Sequence, residues 1–322
     1  MTAYLIRRVG TTLVILIGIS IFIFMLLRVV FPSPAIVVLG PRASPQAVAA
    51  WNAQNGFDEP IIVQYWHYVD ALLHGNLGYS YKLNQPVAAL FSERWARSLY
   101  LSGMGILIAI LIAIPLGIYQ AVKRNSFGDQ AVTAVAFTAY AMPDFLLYLI
   151  AIQVFALSIP IFSFEASQST SIVTVMGDWR EMALPIICIA LLVLAGYSRY
   201  MRSSAIETLA QDYIKTARAK GLPERLVLLR HLLRNACLPM ITLIGLSIPA
   251  LLAGNLIAEF VFNYNGLGLL FYNSLSNEDY PVVIAYTLIG AALTVAGNLM
   301  ADIALTIADP RIRLSSATEL GN

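Results

Sequence analysis

Long apolar runs, separated by charged or Pro- and Gly-rich connections, set the pattern of this chain. Six of them, at 9–30, 99–122, 131–157, 182–199, 235–258 and 280–303, come close to the ~20 residues a helix needs to cross the hydrocarbon of a bilayer. Lipid offers no partner to an unpaired backbone group, so each run predicts a membrane-spanning helix. Pro143 and Asp144 interrupt the third run and predict a kink there. The fourth is the shortest. The first is uncharged over the 19 residues from Val9 to Leu27. That exceeds the apolar part of a signal peptide, and no small-x-small cleavage site follows, which predicts an uncleaved first span.

Composition agrees with this pattern. Of 322 residues, 59% are hydrophobic and only 12% charged, about half the charged share of soluble domains. Net charge is small, but its distribution is informative. Fourteen of the 20 Lys and Arg residues fall at the termini and in alternate connections, at Arg7, Arg8, Lys123, Arg124, between 199 and 234, and at Arg311 and Arg313. Basic residues accumulate on the cytoplasmic side of a membrane, so both termini are expected there and the 31–98 and 158–181 connections outside. The expected organisation is a first span at 1–30, a folded external cap at 31–98, and a core of five further helices over 99–322. In the cap, Val63 to Leu73 reads as an amphipathic helix with Tyr65, Trp66, Val69, Leu72 and Leu73 on one face. Trp66, Tyr68, Tyr79, Tyr81 and Trp95 fit either an interfacial aromatic belt or a docking surface.

The connection 199–234 carries eight basic and three acidic residues, a formal balance of +5. Positive-inside bias explains the charge but not the order within it. "DYIKTARAKGL" places small residues at Ala217, Ala219 and Gly221, a compact surface that admits close approach of another protein, and it breaks at Gly221 and Pro223. "ERLVLLRHLLRN" follows as a second helical run that leads through Pro239 into the fifth span. Spacing alone therefore predicts a helix, a break and a helix joined to a transmembrane segment.

"KTARAKG" and "LRHLLRNACLP" resemble the EAA loop of permease subunits of binding-protein-dependent ABC importers, in particular the B-type subunit of dipeptide and oligopeptide permeases. The resemblance extends to "YLIRRV", "QYWHYVDALLHGNLGYSY", "NYNGLGLLFYNSLSNEDYPVV" and "ADIALTIADPRIR". It implies an all-α integral membrane protein of the bacterial cytoplasmic membrane, with a cytoplasmic coupling helix between spans 4 and 5. It also implies that Lys215, Thr216, Ala217, Arg218, Ala219, Lys220 and Gly221 dock into a cleft of an ATP-hydrolysing subunit. Lys215 departs from the family pattern, which has Glu there, and Asn265 stands where relatives commonly show Pro. The implied partners are a second, C-type permease subunit, one or two cytoplasmic ATPases that bind ATP and Mg, an external solute-binding protein and membrane lipid. Nucleic acid is not among them.

No G-x-x-x-x-G-K-[ST] occurs, so no P-loop cradles ATP in this chain, and no H-E-x-x-H or G-x-S-x-G points to hydrolysis. Cys188 and Cys237 have no metal-ligand spacing and read as packing residues; no cofactor or metal is expected in the chain. Ionisable groups inside spans are costly, by about 2.5–3.5 kcal/mol at mid-helix. Asp144, Glu259 and Asp302, with the polar Asn255 and Asn298, are therefore candidates for the pathway. Each also fits a plain role in capping a helix or bonding between helices. "ALLAG", Ala250 to Gly254, offers a small-x-x-x-small packing face. The expected activity is import of di- or oligopeptides. A nickel complex, glutathione or an oligosaccharide is an alternative cargo. A stand-alone ion-coupled transporter and an intramembrane enzyme are the readings from other classes.

Overall fold

The computed structural model describes residues 2–30, 33–40, 42–248, 251 and 254–308. Helices α1 (Thr2–Val30), α2 (Ala35–Leu39), α3 (Pro45–Gln54) and α4 (Ile61–Leu73) lead to a short antiparallel hairpin, β1 (Tyr79–Ser80) with β2 (Gln85–Pro86). Then come α5 (Val87–Val122), α6 (Phe127–Ala141), α7 (Asp144–Ile152), α8 (Ile172–Gly177) and α9 (Trp179–Leu209). The helical segments α10 (Asp212–Ala219), α11 (Glu224–Leu226), α12 (Leu233–Ala236) and α13 (Leu238–Leu246) follow. The last are α14 (Leu256–Val261), α15 (Leu267–Ser276) and α16 (Tyr280–Ala308). Among the described residues the chain is thus all-α apart from one small hairpin.

Among the described residues, Val87–Val122, Trp179–Leu209 and Tyr280–Ala301 are long and apolar enough to cross a membrane. Two bent pairs raise the number to as many as five, and Gly10–Leu26 is a shorter apolar helix. One bent pair is Phe127–Ala141 with Asp144–Ser158, turned through 106° where the sequence places Pro143. The other is Glu224–Ala236 with Leu238–Leu246, turned through 46°. The "ALLAG" face falls largely outside the described residues.

Helix α5 starts at Val87, twelve residues before the apolar run that predicts it, because Val87, Leu90 and Phe91 are buried with Leu267, Leu270, Val282 and Ala285. Its charged turn is accommodated locally: Arg94 donates to Leu90 O and Glu93, and Arg97 to Glu93 O. Helices α5 and α9 form the central pair. A Cβ at Gly105 would lie 2.5 Å from Ile189 Cγ2, and one at Gly117 would lie 2.6 Å from Met201 Cβ. Small residues here let the two backbones approach, which is how helices associate where lipid removes the hydrophobic drive. Gly117→Leu should overpack this contact by about 1–3 kcal/mol. The check is a loss of monodisperse protein and an earlier unfolding midpoint in detergent.

The amphipathic cap helix forms as expected, but with a different inward side. Tyr65 and Tyr68 face α1, with ring centroids 5.3 and 5.6 Å from Phe24, and Tyr65 OH shares a 2.8 Å hydrogen bond with Ser20 Oγ. Trp66 and Leu73, grouped with Tyr65 by periodicity, are 69% and 81% exposed.

Candidate functional site

In α10, Gln211 takes the extended cap conformation and Asp212 opens the first turn, where a carboxylate complements the helix dipole. Lys215 Nζ lies 2.9 Å from Asp212 Oδ1, and this hydrogen bond holds the exposed Asp212 carboxyl below its usual range. The lysine at the position where a carboxylate was expected is therefore engaged within its own helix. Thr216 Oγ1 donates to Asp212 O. Arg218 donates through two nitrogens to Glu224, and that bond lowers the Glu224 carboxyl pKa. Both partners are about half exposed, so the pair fixes geometry more than it stabilises. Gly221 has φ +76°, the left-handed position that ends a helix and that a β-carbon strains.

The helix has two distinct sides. Ile214 and Ala217 are buried in a cluster with Met201, Ala205, Val227, Leu232, Ala236 and Met240. Lys215, Thr216, Arg218, Ala219, Lys220 and Gly221 are exposed, beside Tyr213. Ala217 was grouped with the docking residues on sequence, yet its side chain packs inside this chain. A heptapeptide of small and basic residues does not by itself reveal which small residue points inward. The buried side rests on the run that continues from α11 through a π-helical turn, Val227–Leu232, into α12 and so to α13. Tyr197 of α9 donates to Leu243 O at 2.9 Å, tying the bent pair's second arm to the central helices. The buried side of α10 thus packs against the segment that leads into α13.

One cluster nearby escapes sequence reasoning. Asp129 of α6 is buried and accepts from Arg202 Nε and Nη2 of α9, both at 2.8 Å. Asn125 N (2.9 Å) and Gln120 Nε2 (3.3 Å) also donate to it. The ends of α5, α6 and α9 meet at this carboxylate. Arg202 drew notice only as a positive charge. The available signal was a lone acid in "NSFGDQAV" between two apolar runs.

The structure does not gather the polar candidates of the spans into one constellation. Asp144 is exposed in the first turn of α7. Asn255 is the N-cap of α14, its Oδ1 accepting from Ala258 N at 3.1 Å. Glu259, a pathway candidate on sequence, is fully buried. Its Oε2 accepts from Gly268 N at 2.7 Å and Leu269 N at 3.1 Å, while Ser98 Oγ accepts from Leu267 N at 2.8 Å. Glu259 and Ser98 together satisfy the N-terminus of α15, where helices present unpaired N–H groups. A Cβ at Gly266 would fall 2.3 Å from Glu259 Oε2, so glycine there makes room for the carboxylate. Asn265 accepts from Arg94 Nε at 3.2 Å, which holds this turn. Asn298 is half-buried in α16, and the side chain of Asp302 lies outside the described residues. Cys188 and Cys237 are free thiols, the first buried and the second half-buried.

Two family models cover most of the chain. Residues 113–314 match the binding-protein-dependent transport system inner membrane component, and residues 1–102 match the N-terminal part of such membrane components. The oligopeptide transport system permease protein of Bacillus subtilis is 36% identical over 97% of this chain and 99% of its own length. The dipeptide transport system permease protein of Escherichia coli is 34% identical, with 97% and 99% covered. The glutathione transport system permease protein of Salmonella typhimurium is 32% identical over the same shares.

Proposed function

This chain belongs to the family of inner membrane components of binding-protein-dependent transport systems, and from that premise we propose that it forms part of the pathway of an ATP-driven peptide importer. It is a multi-pass inner-membrane protein and a permease subunit. The observation that carries the fuller reading is α10: a short helix with an exposed basic face and a buried face, continuous with the bent pair that enters the apolar core. Such an element transmits a push from a soluble partner to the membrane helices without bond chemistry in this chain.

In this reading six spans leave both termini and α10 in the cytoplasm, with α2 to α4 and the hairpin outside. A C-type permease subunit completes the pathway, two ATPases bind ATP and Mg, and a solute-binding protein delivers cargo. ATP shifts the conformational equilibrium only through its differential affinity for the closed ATPase pair; α10 would carry that closure to α13. Cargo is taken to be peptides, supported by relatives named for oligopeptides and dipeptides at 36% and 34% identity. A repeating backbone of donors and acceptors suits a wide pathway whose selection is left to the external receptor.

Co-expression with the partner subunits and receptor, followed by uptake of radiolabelled dipeptide into vesicles, tests the cargo. Receptor-dependent dipeptide uptake is expected. Uptake of a nickel complex or an oligosaccharide, with none of dipeptide, would contradict it.

A further inference from the structure

A cavity of about 280 Å³ lies where the far end of α1, the helix α4, the hairpin and the first turns of α16 converge. Its size is near the lower end of ligand pockets, ~300 Å³. Three buried polar atoms of residues in its wall have no hydrogen-bond partner among the described residues: Gln64 Oε1, Tyr68 OH and Asp279 Oδ1. The Gln64 amide nitrogen donates to Phe57 O and Glu59 O, which leaves its oxygen as the unused atom. Asp279 is 2% exposed, and its other oxygen accepts from Ser80 of the hairpin. Leaving such an atom unsatisfied is costly, so a ligand that supplies donors is favoured.

Two of the three can only accept, and the phenol can do either, so the missing groups are donors. Glu278 adds a second acid to the wall, and Arg28 brings a cation at the end of α1. The remaining surface is largely apolar, with Leu72 and Ile284 among the aliphatic residues and the ring of Tyr81. On its other side Asp279 borders a smaller space of about 120 Å³; burial raises its carboxyl above the usual range, and the Ser80 hydrogen bond and Lys82 oppose that shift. An ammonium group on a small apolar body, with an anionic group within the same molecule, matches this set of donors and charges.

We propose that this cavity binds the ammonium end of a small amphipathic zwitterion, a free dipeptide with apolar side chains, giving the permease a peptide site of its own beside that of the receptor. The proposal rests on the peptide-importer reading. Phosphatidylethanolamine carries the same ammonium beside an anion and is the second source of this chemistry.

The test uses the whole assembly in nanodiscs of phosphatidylcholine and phosphatidylglycerol, with or without phosphatidylethanolamine. Binding of leucyl-leucine is measured by calorimetry. Saturable binding is expected in discs without the ethanolamine lipid. N-acetylation of the dipeptide and Asp279→Asn should each weaken it about tenfold or more, the equivalent of ~1.4 kcal/mol. Asn at 279 still accepts from Ser80. Tyr68→Phe, which removes only a hydroxyl, supplies a second variant, and gel filtration confirms assembly of both. Binding only of the ethanolamine lipid, seen by native mass spectrometry, would overturn the dipeptide as occupant. Dipeptide binding indifferent to N-acetylation and to both variants, or no binding of either molecule, would overturn the site. ATP-driven uptake by the same assembly reconstituted into sealed proteoliposomes separates the two levels: uptake without cavity binding removes this site alone, whereas no dipeptide uptake removes the reading beneath it.

Discussion

Arg202→Met is expected to lower the stability of the chain by about 3–5 kcal/mol, because it leaves the Asp129 carboxylate buried at 3% side-chain exposure without its counter-ion. Asn125 and Gln120 still donate to that carboxylate, but neither neutralises it. Asp129→Asn should cost less, since Arg202 is 28% exposed and retains access to water. The double variant Asp129→Leu with Arg202→Met should recover most of the loss, because an apolar pair of similar volume avoids the desolvation penalty. Unfolding in mixed micelles, read by intrinsic fluorescence, gives the three midpoints. A double variant no better than Arg202→Met alone would show that the pair does not act as a unit. The pair sits where α5 ends, α6 begins and α9 nears its end, which makes it a fastener of these three helices.

The second large effect separates the two sides of α10. Ala219→Trp should leave folding within about 0.5 kcal/mol of the parent, because Ala219 is exposed and the ring meets solvent. It should nonetheless reduce ATP-driven uptake about tenfold or more, through a loss of at least ~1.4 kcal/mol at the proposed ATPase contact. Ala217→Trp should act in the opposite order. At 5% exposure its ring must enter the cluster of Ile214, Val227 and Leu232, overpacking it by about 1–3 kcal/mol or more before any partner is involved. The measurements are unfolding in micelles for the isolated chain and uptake for the assembly. Uptake unaffected by Ala219→Trp would contradict docking through this face.

Much of the scaffold was legible in the sequence. The apolar runs at 99–122, 182–199 and 280–303 lie within helices Val87–Val122, Trp179–Leu209 and Tyr280–Ala308, and the break at Pro143 becomes the 106° turn. These features are local: run length and a missing N–H act over a few residues. The helix starts were less legible, because the first turns of α5 are held by contacts to Leu267 and Val282 far along the chain. The helix, break and helix of 212–236 was readable from Gly221 and Pro223, but the inward orientation of Ala217 was not, since it depends on Val227 and Leu232 folding back over it. Glu259 shows the same limit. An acid after an apolar run looks accessible, and only the approach of Ser98 and of the α15 N-terminus, 161 and 9 residues away, shows how it is buried. The Asp129 to Arg202 pair joins residues 73 apart and leaves no periodic trace.

This permease chain is expected to be driven by ATP hydrolysed in partner subunits. Reconstitution of this chain into proteoliposomes tests it most directly, alone and with the second permease subunit, the ATPases and the binding protein. Dipeptide uptake is expected only in the complete system with ATP and Mg, and none by the chain alone under an imposed proton gradient. Uptake by the chain alone along that gradient, indifferent to ATP, would contradict it.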